Sequence, residues 1–341
     1  MKAIGYFKPQ AVTQADSLVD LELPKPTPTG RDLLINVEAL SVNPVDTKVR
    51  KSTAPEAGAA KVLGWDAVGQ VVGVGDSVEN FKLGDKVWYA GDLTRAGSNA
   101  EFQLVDERIV GRKPSSLSNI EAAAMPLTTI TAWELLFDRL GFTPKQTRET
   151  TTKKRILILG AAGGVGSILT QLAKKLTDAT VIGTASRPQS EAWVRELGAD
   201  YVINHYLPFM PQLRAIGIDD ITHVISLNHT DQHFDQIVDV IAPQGKFALI
   251  DDPKQPLDII KLKTKSVSLH WEFMYTRSMY QTHDMQKQSQ LLNSVAELID
   301  RGEIKTTLGE NFGSINAANL KRAHTQLEAN KAIGKIVLEG F

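Results

Sequence analysis

The chain has 341 residues, no cysteine and a formal net charge of -1 from 38 basic and 39 acidic side chains. That length is a prior for about two domains, and the missing cysteines exclude disulfides, thiolate-held zinc and a cysteine nucleophile. The near-neutral, interspersed charge leaves no footprint for nucleic acid. With no leader and no apolar run of about 18 residues, a cytoplasmic protein that does not engage a membrane is expected.

Met1–Phe7 predicts a first strand, and Pro24, Pro26 and Pro28 ahead of Gly30 predict an extended connection. Leu33, Ile35 and Val37 alternate with Leu34, Asn36 and Glu38, a strand with one mainly apolar face. Short glycine-punctuated runs between 63 and 105 predict a compact antiparallel β unit. Ser118 and Glu121 fit a capping box, a second helix is expected over Thr131–Leu140, and the loop near 141–154 is expected to be exposed.

From Ile156 strands and helices alternate. Val181–Thr184, Tyr201–Ile203, Thr222–Leu227 and Lys246–Ile250 are predicted strands, and Pro188 opens a helix that Leu197 and Gly198 close. Apolar strands joined by helices mean a parallel sheet covered on both faces. A long strand-like run follows over 266–273, then a helix over 282–301 ended by Gly302, and another over 316–329 with Asn316 as N-cap. The last strand is G-K-I-V-L, 334–338. The tail is expected to rejoin the first unit, giving a discontinuous domain of 1–127 with 271–341 around a domain of 128–270.

The most informative stretch is I-L-I-L-G-A-A-G-G-V-G, 156–166, followed by Ile168, Leu169, Leu172, Ala173 and Leu176 at helical spacing. A buried strand, a glycine turn and a helix in that order are the context of a dinucleotide-binding loop. Gly163 has no Cβ to keep the backbone from a pyrophosphate, and Gly166 lets helix and strand pack closely. Helix-start N–H groups and the helix dipole favour the anion. Ala162, Gly163, Gly164, Val165 and Gly166 are therefore candidate cofactor contacts. Ala161 stands where the first glycine of the usual triplet falls, and a plain turn of another α/β protein is the alternative.

An NAD site places an acid about 20 residues beyond the glycines, at the end of the second strand. Here that strand ends in Ala185-Ser186-Arg187. Ser186 can donate to a 2′-phosphate and Arg187 can pair with it. Such bonds, at about 1.5–3 kcal/mol each, correspond to roughly tenfold to several-hundredfold preference for NADPH. Arg187 as a solvated helix-start charge is the alternative. Leu227, Asn228, Ile250 and Asp251 follow predicted strand ends, where ligands bind in open α/β sheets.

Taken together, A-L-S-V-N-P-V-D-T-K-V-R, L-G-W-D-A-V-G-Q-V-V-G-V-G, F-K-L-G-D-K-V, A-A-A-M-P-L-T-T-I-T-A-W, G-A-A-G-G-V-G, E-L-G-A-D-Y-V-I-N and G-K-I-V-L resemble the medium-chain dehydrogenase/reductase superfamily, in its zinc-independent quinone oxidoreductase branch. W-E-F-M-Y-T-R, 271–277, resembles a subgroup labelled zinc-type alcohol dehydrogenase-like, and sometimes a lyase. The resemblance implies an α/β fold made of a GroES-like β domain and a Rossmann domain with a doubly wound parallel sheet. It also implies an active-site cleft between the domains, a homodimer, and reduction of quinones or α,β-unsaturated carbonyls with NADPH. In the family a Tyr after the I-N dipeptide approaches the 2′-phosphate; His205 stands there, with a contribution that depends on pH.

Zinc-dependent relatives use a Cys early in the β domain and the His of a Gly-His-Glu motif. Asn43 stands at the first place and Gly64-Trp65-Asp66 at the second. An indole offers no lone pair and an amide is a poor zinc ligand, so no metal is expected. His223 falls in a predicted strand, and His229 and His233 flank a predicted helix start; most of the seven histidines are expected to be surface or locally hydrogen-bonded residues.

Hydride transfer needs positioning and stabilisation of a developing oxyanion rather than a protein nucleophile. Asn43 can donate to a carbonyl oxygen. Asp46 is either catalytic or a turn cap. Lys48 either stabilises the oxyanion or is solvated. Trp65 is either a flat wall for a planar substrate or a core indole. Thr131 is expected near the nicotinamide, and Arg277 is expected to reach the cleft. The alternatives to a quinone or enone reductase are an alcohol/aldehyde oxidoreductase, which lacks zinc to polarise the carbonyl, and a non-catalytic, crystallin-like NADPH-binding protein.

Overall fold

The computed structural model describes residues 1–144 and 154–341. The expectation of an exposed loop lies, over 145–153, outside the described residues; within the described part Phe142 is buried against His223, ring centroids 4.5 Å apart. The chain forms two compact units, Met1–Ile130 with Tyr275–Phe341, and Thr131–Met274. Among the described residues no helix is long and apolar enough to cross a membrane.

The first unit begins with β1 (Lys2–Tyr6), β2 (Val19–Glu22), β3 (Asp32–Val42), α1 (Pro44–Ser52), β4 (Lys61–Val62), β5 (Ala67–Val74), β6 (Lys86–Tyr89), β7 (Phe102–Asp106), β8 (Val110–Arg112) and α2 (Asn119–Ala123). Ser118 and Glu121 form the expected capping box of α2. The next helix, α3 (Pro126–Trp133), starts earlier than the periodicity predicts and passes into a π-helical turn over Glu134–Arg139. The fixed φ of Pro126 suits a first helical turn, which sets the earlier start.

The second unit holds β9 (Arg155–Leu159), α4 (Gly164–Leu176), β10 (Thr180–Thr184), α5 (Pro188–Glu196), β11 (Tyr201–Ile203), α6 (Phe209–Ala215), β12 (Ile221–Ser226), α7 (Thr230–Val240), β13 (Ile241–Leu249) and β14 (Ser268–Trp271). These six strands form one parallel sheet in the order β11-β10-β9-β12-β13-β14. Strands are added first to one side of β9 and then to the other, the doubly wound pattern. Its four inner strands, β10, β9, β12 and β13, are mostly buried, and the core contains Leu157, Leu159, Val224, Phe234, Ile237 and Phe247. The run expected as a long strand over 266–273 pairs only over Ser268–Trp271, because β13 offers it four partners, Lys246 to Leu249.

The chain then returns to the first unit with α8 (Thr276–Met279), α9 (Lys287–Asp300), β15 (Leu308–Asn311), α10 (Ala317–Glu328) and β16 (Lys335–Glu339). The helix expected from 282 begins only at Lys287, because Thr282 and Asp284 are held in a turn by the bond from Thr282 Oγ1 to Asp284 Oδ1, 2.7 Å. Asn316 caps α10 by accepting from the Asn319 N–H. β16 pairs antiparallel with β3, Ile336 opposite Val42, in a seven-stranded sheet that runs β15-β16-β3-β5-β6-β8 with β7 also on β3. The core of this sheet includes Leu33, Ile35, Val37, Val71, Val87 and Val105. A small antiparallel sheet, β2-β1-β4, lies apart from it within the same unit.

Candidate functional site

In the second unit the candidate site is built by sheet register. Leu159 ends β9 opposite Ser226 at the end of β12, and Ser226 is opposite Leu249 at the end of β13. Gly160, Leu227 and Ile250 therefore leave the sheet side by side at its carboxyl edge. Gly160 turns at φ +80° and donates to Thr184 Oγ1, 3.2 Å, at the end of β10. A Cβ on Gly160 would also meet Asn228 Oδ1 at 2.8 Å. Leu227 and Ile250 are half-buried, and their N–H groups bond to Leu159 and Ser226. Asp251 accepts from the N–H and Oγ1 of Thr230, holding the start of α7.

The glycines of the loop are separated by function. A Cβ on Gly166 would lie 2.4 Å from the Gly160 carbonyl oxygen and 2.5 Å from Ala161 Cα, so this glycine is where α4 touches the turn. A Cβ on Gly163 would meet nothing nearer than that oxygen at 3.4 Å. Gly163 is the N-cap of α4 and has no side chain to cap the helix. Ala162, Gly163, Gly164 and Val165 are half-exposed at the start of a 13-residue helix, whose first N–H groups have no partner within the helix. The residues fit a pyrophosphate.

Ser186 is half-buried, and Arg187 is exposed at the N-cap of α5. His205 lies half-buried beyond β11, held below its ordinary value by burial first and then by His229 and Arg187. Thr131 is buried in α3.

The first unit carries a different constellation. Asp66 is fully buried and accepts from Ser41 Oγ at 2.7 Å, Asn43 Nδ2 at 3.2 Å, the Leu127 N–H at 3.1 Å and Lys335 Nζ at 2.8 Å. Lys335 Nζ also donates to Asn43 Oδ1 at 2.5 Å. A buried ion pair is tolerated when hydrogen bonds saturate it, as they do here. Lys335 was not singled out from the sequence. It carries the one charge at the head of an apolar strand, but only the pairing of β16 with β3 brings it to Asn43.

Asp46 is the capping residue of α1: its carboxylate accepts from the Asn43 N–H at 2.6 Å and the Gly64 N–H at 3.1 Å. Burial pushes it up to about 7, against those donors and Lys335. Lys48 is exposed on α1. Trp65 is 0% exposed and donates to the Asp92 carbonyl, with its ring edge-on to Tyr275. Of the two readings of Trp65, its burial and the satisfied N–H fit the core indole. Arg277 is likewise buried, with Nε and one terminal nitrogen on Asp284 at 3.2 and 3.0 Å.

This cluster does not fit zinc. The places of the family's Cys and His hold an amide and a buried indole, and the Lys335 ammonium already occupies the oxygens of Asn43 and Asp66. Among the described residues no three His, Cys, Asp or Glu side chains are grouped to hold a metal ion.

The family model of the alcohol dehydrogenase GroES-like domain matches residues 29–115, and that of a zinc-binding dehydrogenase matches 197–338. A zinc-type alcohol dehydrogenase-like protein of Staphylococcus aureus (strain MRSA252) is 38% identical over 340 residues, covering 99% of each chain. A crystal structure from Rhizobium etli CFN 42, named for zinc-dependent alcohol dehydrogenase, is 53% identical with a TM-score of 0.96, covering 100% of this chain and 98% of its own. A mycobacterial protein solved with NADPH is 27% identical with a TM-score of 0.82, covering 99% of this chain and 100% of its own.

Proposed function

The chain belongs to the medium-chain dehydrogenase/reductase superfamily, in the branch of the quinone oxidoreductases and zinc-type alcohol dehydrogenase-like proteins, and on that premise we propose that it reduces quinones or α,β-unsaturated carbonyls with NADPH and without zinc. One observation carries this reading: the helix start at Gly163 is open while the polar cluster of the first unit is closed by Lys335. A bound nicotinamide supplies the hydride.

In this reading the N–H groups of Ala162, Gly164 and Val165 bind the pyrophosphate, the Gly163 N–H being held by the Gly160 carbonyl, and Ser186, Arg187 and His205 bind the 2′-phosphate. Thr131, Leu227, Asn228, Ile250 and Asp251 order the remainder of the dinucleotide site within the second unit. Of the two amide hydrogens of Asn43, Asp66 takes one; the other is assigned to the developing oxyanion, with Lys48 as a second, exposed cation. Lys335 is a positioning residue, since it fixes which end of the Asn43 amide is the donor. Asp46 and Trp65, the other catalytic candidates, hold the backbone and the core behind Asn43.

The mycobacterial relative solved with NADPH supports the cofactor choice. We further infer a cytoplasmic homodimer. β14 is an edge strand, and Trp271, Phe273, Ile259 and Ile260 of the same unit are exposed; unpaired strand edges flanked by apolar side chains favour pairing with a second copy. Sedimentation separates dimer from monomer.

Calorimetric titration with NADPH and then NADH tests the cofactor, followed by NADPH oxidation with quinones and enones. Tight NADPH binding with turnover supports the reading. Binding without turnover of any acceptor leaves the crystallin-like alternative, and turnover of simple aldehydes alone leaves the alcohol/aldehyde one. Binding of neither dinucleotide overturns the oxidoreductase reading.

A further inference from the structure

A cavity of about 250 Å³ lies at the amino end of the second unit's sheet, the end away from the glycine loop, with Lys154, Thr222, His223, Gln244 and Lys246 among its lining. Pockets for drug-sized molecules run from roughly 300 to 1,000 Å³, so the ligand of this one is small. Sheet register builds its wall. Ile156 of β9, His223 of β12, Lys246 of β13 and Ser268 of β14 are partners in one row. Side chains in such a row share a face, on strands about 4.8 Å apart, so Lys246 stands beside His223. Lys154 comes two positions before Ile156, which puts it on that face as well. Phe142 joins the two sides: its ring centroid is 4.5 Å from that of His223 and 4.7 Å from Lys154 Nζ.

The fold leaves the two ammonium groups without a counterion. Lys246 Nζ donates to the Leu140 carbonyl at 2.7 Å, a neutral acceptor that takes one of its three hydrogens. Lys154 Nζ rests on the Phe142 ring. Both lysines are half-buried, and among the described residues neither pairs with a carboxylate. His223 adds polarity but no charge. Its Nδ1 is 2.8 Å from Thr222 Oγ1, which donates its single hydrogen to the Arg155 carbonyl and accepts from the Arg155 N–H. Nδ1 therefore carries the ring proton. Burial first, then Lys154, Lys246 and His270, push this imidazole down to about 4, so it is neutral at pH 7. Gln244 brings an exposed amide from a left-handed turn at φ 62°, a conformation that side chains other than glycine seldom adopt and that gathers at ligand sites.

We propose that Lys154 and Lys246 bind the phosphate group of a small molecule, at a site separate from the dinucleotide loop. Two ammonium charges match the charge of about −2 on a phosphate near neutral pH, whereas a carboxylate would leave one of them unpaired. The five residues of β9, about 16 Å of strand, separate the cavity from Gly160, so one phosphate does not touch both sites. The bound anion favours the charged form of His223, whose titration then moves up.

The test is calorimetry near pH 7.5 at constant ionic strength, with inorganic phosphate, glycerol phosphate and acetate as separate titrants. The His223 resonance, identified by its loss in His223→Gln, is followed by NMR through a pH titration with and without phosphate. Phosphate should bind, Lys154→Met and Lys246→Met should each weaken it at least about tenfold, Gly163→Ala should leave it unchanged, and His223 should titrate higher in its presence. Lys154→Met keeps the bond from Lys246 to Leu140, so it decides the matter if Lys246→Met does not fold. Tighter binding of glycerol phosphate than of phosphate identifies a phosphomonoester as the ligand, and equal binding identifies free phosphate. Acetate that binds as well as phosphate overturns the inference, since the site then recognises any anion. Phosphate binding that survives Lys154→Met but is lost in Gly163→Ala also overturns it, because the ion then sits at the glycine loop. Absence of phosphate binding, or an unmoved His223 titration, overturns it as well.

Discussion

Replacing Gly163 or Gly166 by alanine adds the same methyl group three residues apart, and the expected outcomes are opposite. At Gly166 the new carbon would lie 2.4–2.6 Å from Gly160 O, Ala161 Cα and Ala161 C. All three are backbone, so α4 must lift from the turn by on the order of 1 Å to restore van der Waals contact. That helix packs Ile168, Leu169, Leu172 and Ala173 into the core. Overpacking costs about 1–3 kcal/mol and occasionally more, against a gain of about 1 kcal/mol from helix propensity. Gly166→Ala should therefore lower the unfolding free energy by about 1–2 kcal/mol, the upper part of that range because all three contacts are backbone. At Gly163 the nearest atom is 3.4 Å away and φ is −76°, which any residue adopts. The fold loses only about 1 kcal/mol or less from a poorer N-cap. The methyl group nevertheless fills the space above the helix start. NADPH and NADH affinities should both fall at least tenfold, about 1.4 kcal/mol. Urea unfolding and calorimetry measure the two quantities. A Gly163→Ala protein that binds both dinucleotides as the parent does, or a Gly166→Ala protein of parental stability, would refute the division of roles.

Lys335→Met should cost about 3–5 kcal/mol, because it leaves the Asp66 carboxylate buried among neutral donors; adding Asp66→Asn should restore part of this in thermal denaturation. His324 is buried, accepts from Arg50 Nε at 3.2 Å, and is pushed down to about 3 by that burial and by Arg50. An unfolded histidine titrates near 6.5, so the unfolded chain takes the proton first. Stability is then intact above about pH 6.5 and falls by about 1.4 kcal/mol per pH unit until about pH 3. His324→Asn keeps an acceptor for Arg50 and should remove about 2 kcal/mol of the loss between pH 7 and pH 5, read from urea midpoints. Asn43→Ala should lower kcat with less change in NADPH affinity; unchanged turnover would remove Asn43 from the reacting centre.

The glycine loop was legible in the sequence because all its determinants are local: an apolar run, glycines at fixed offsets, then helical spacing. The capping box of α2 and the Asn316 cap of α10 were legible for the same reason. Lys335 was not, since its partner Asp66 lies 269 positions away and only the β16–β3 register joins them. Trp65 could be weighed as wall or core but not decided, because the Asp92 carbonyl that satisfies its N–H comes from another loop. The approach of His205 to His233, ring centroids 6.0 Å apart, was not legible either, since 28 positions separate them in the chain.

The late pairing of β16 sets a timetable for synthesis. β3 receives β5 and β7 soon after it leaves the ribosome, but its second half, Ala39–Val42, faces an open edge until Ile336–Glu339 arrive. At about 5–20 residues per second, the 269 positions between Asp66 and Lys335 take on the order of 10 to 60 seconds. During that interval the contiguous second unit can complete its sheet, while the nascent first unit holds a carboxylate with no countercharge. A nascent chain stalled before residue 335 should therefore present the β3 edge to chaperones, and release should bury it in a single late step.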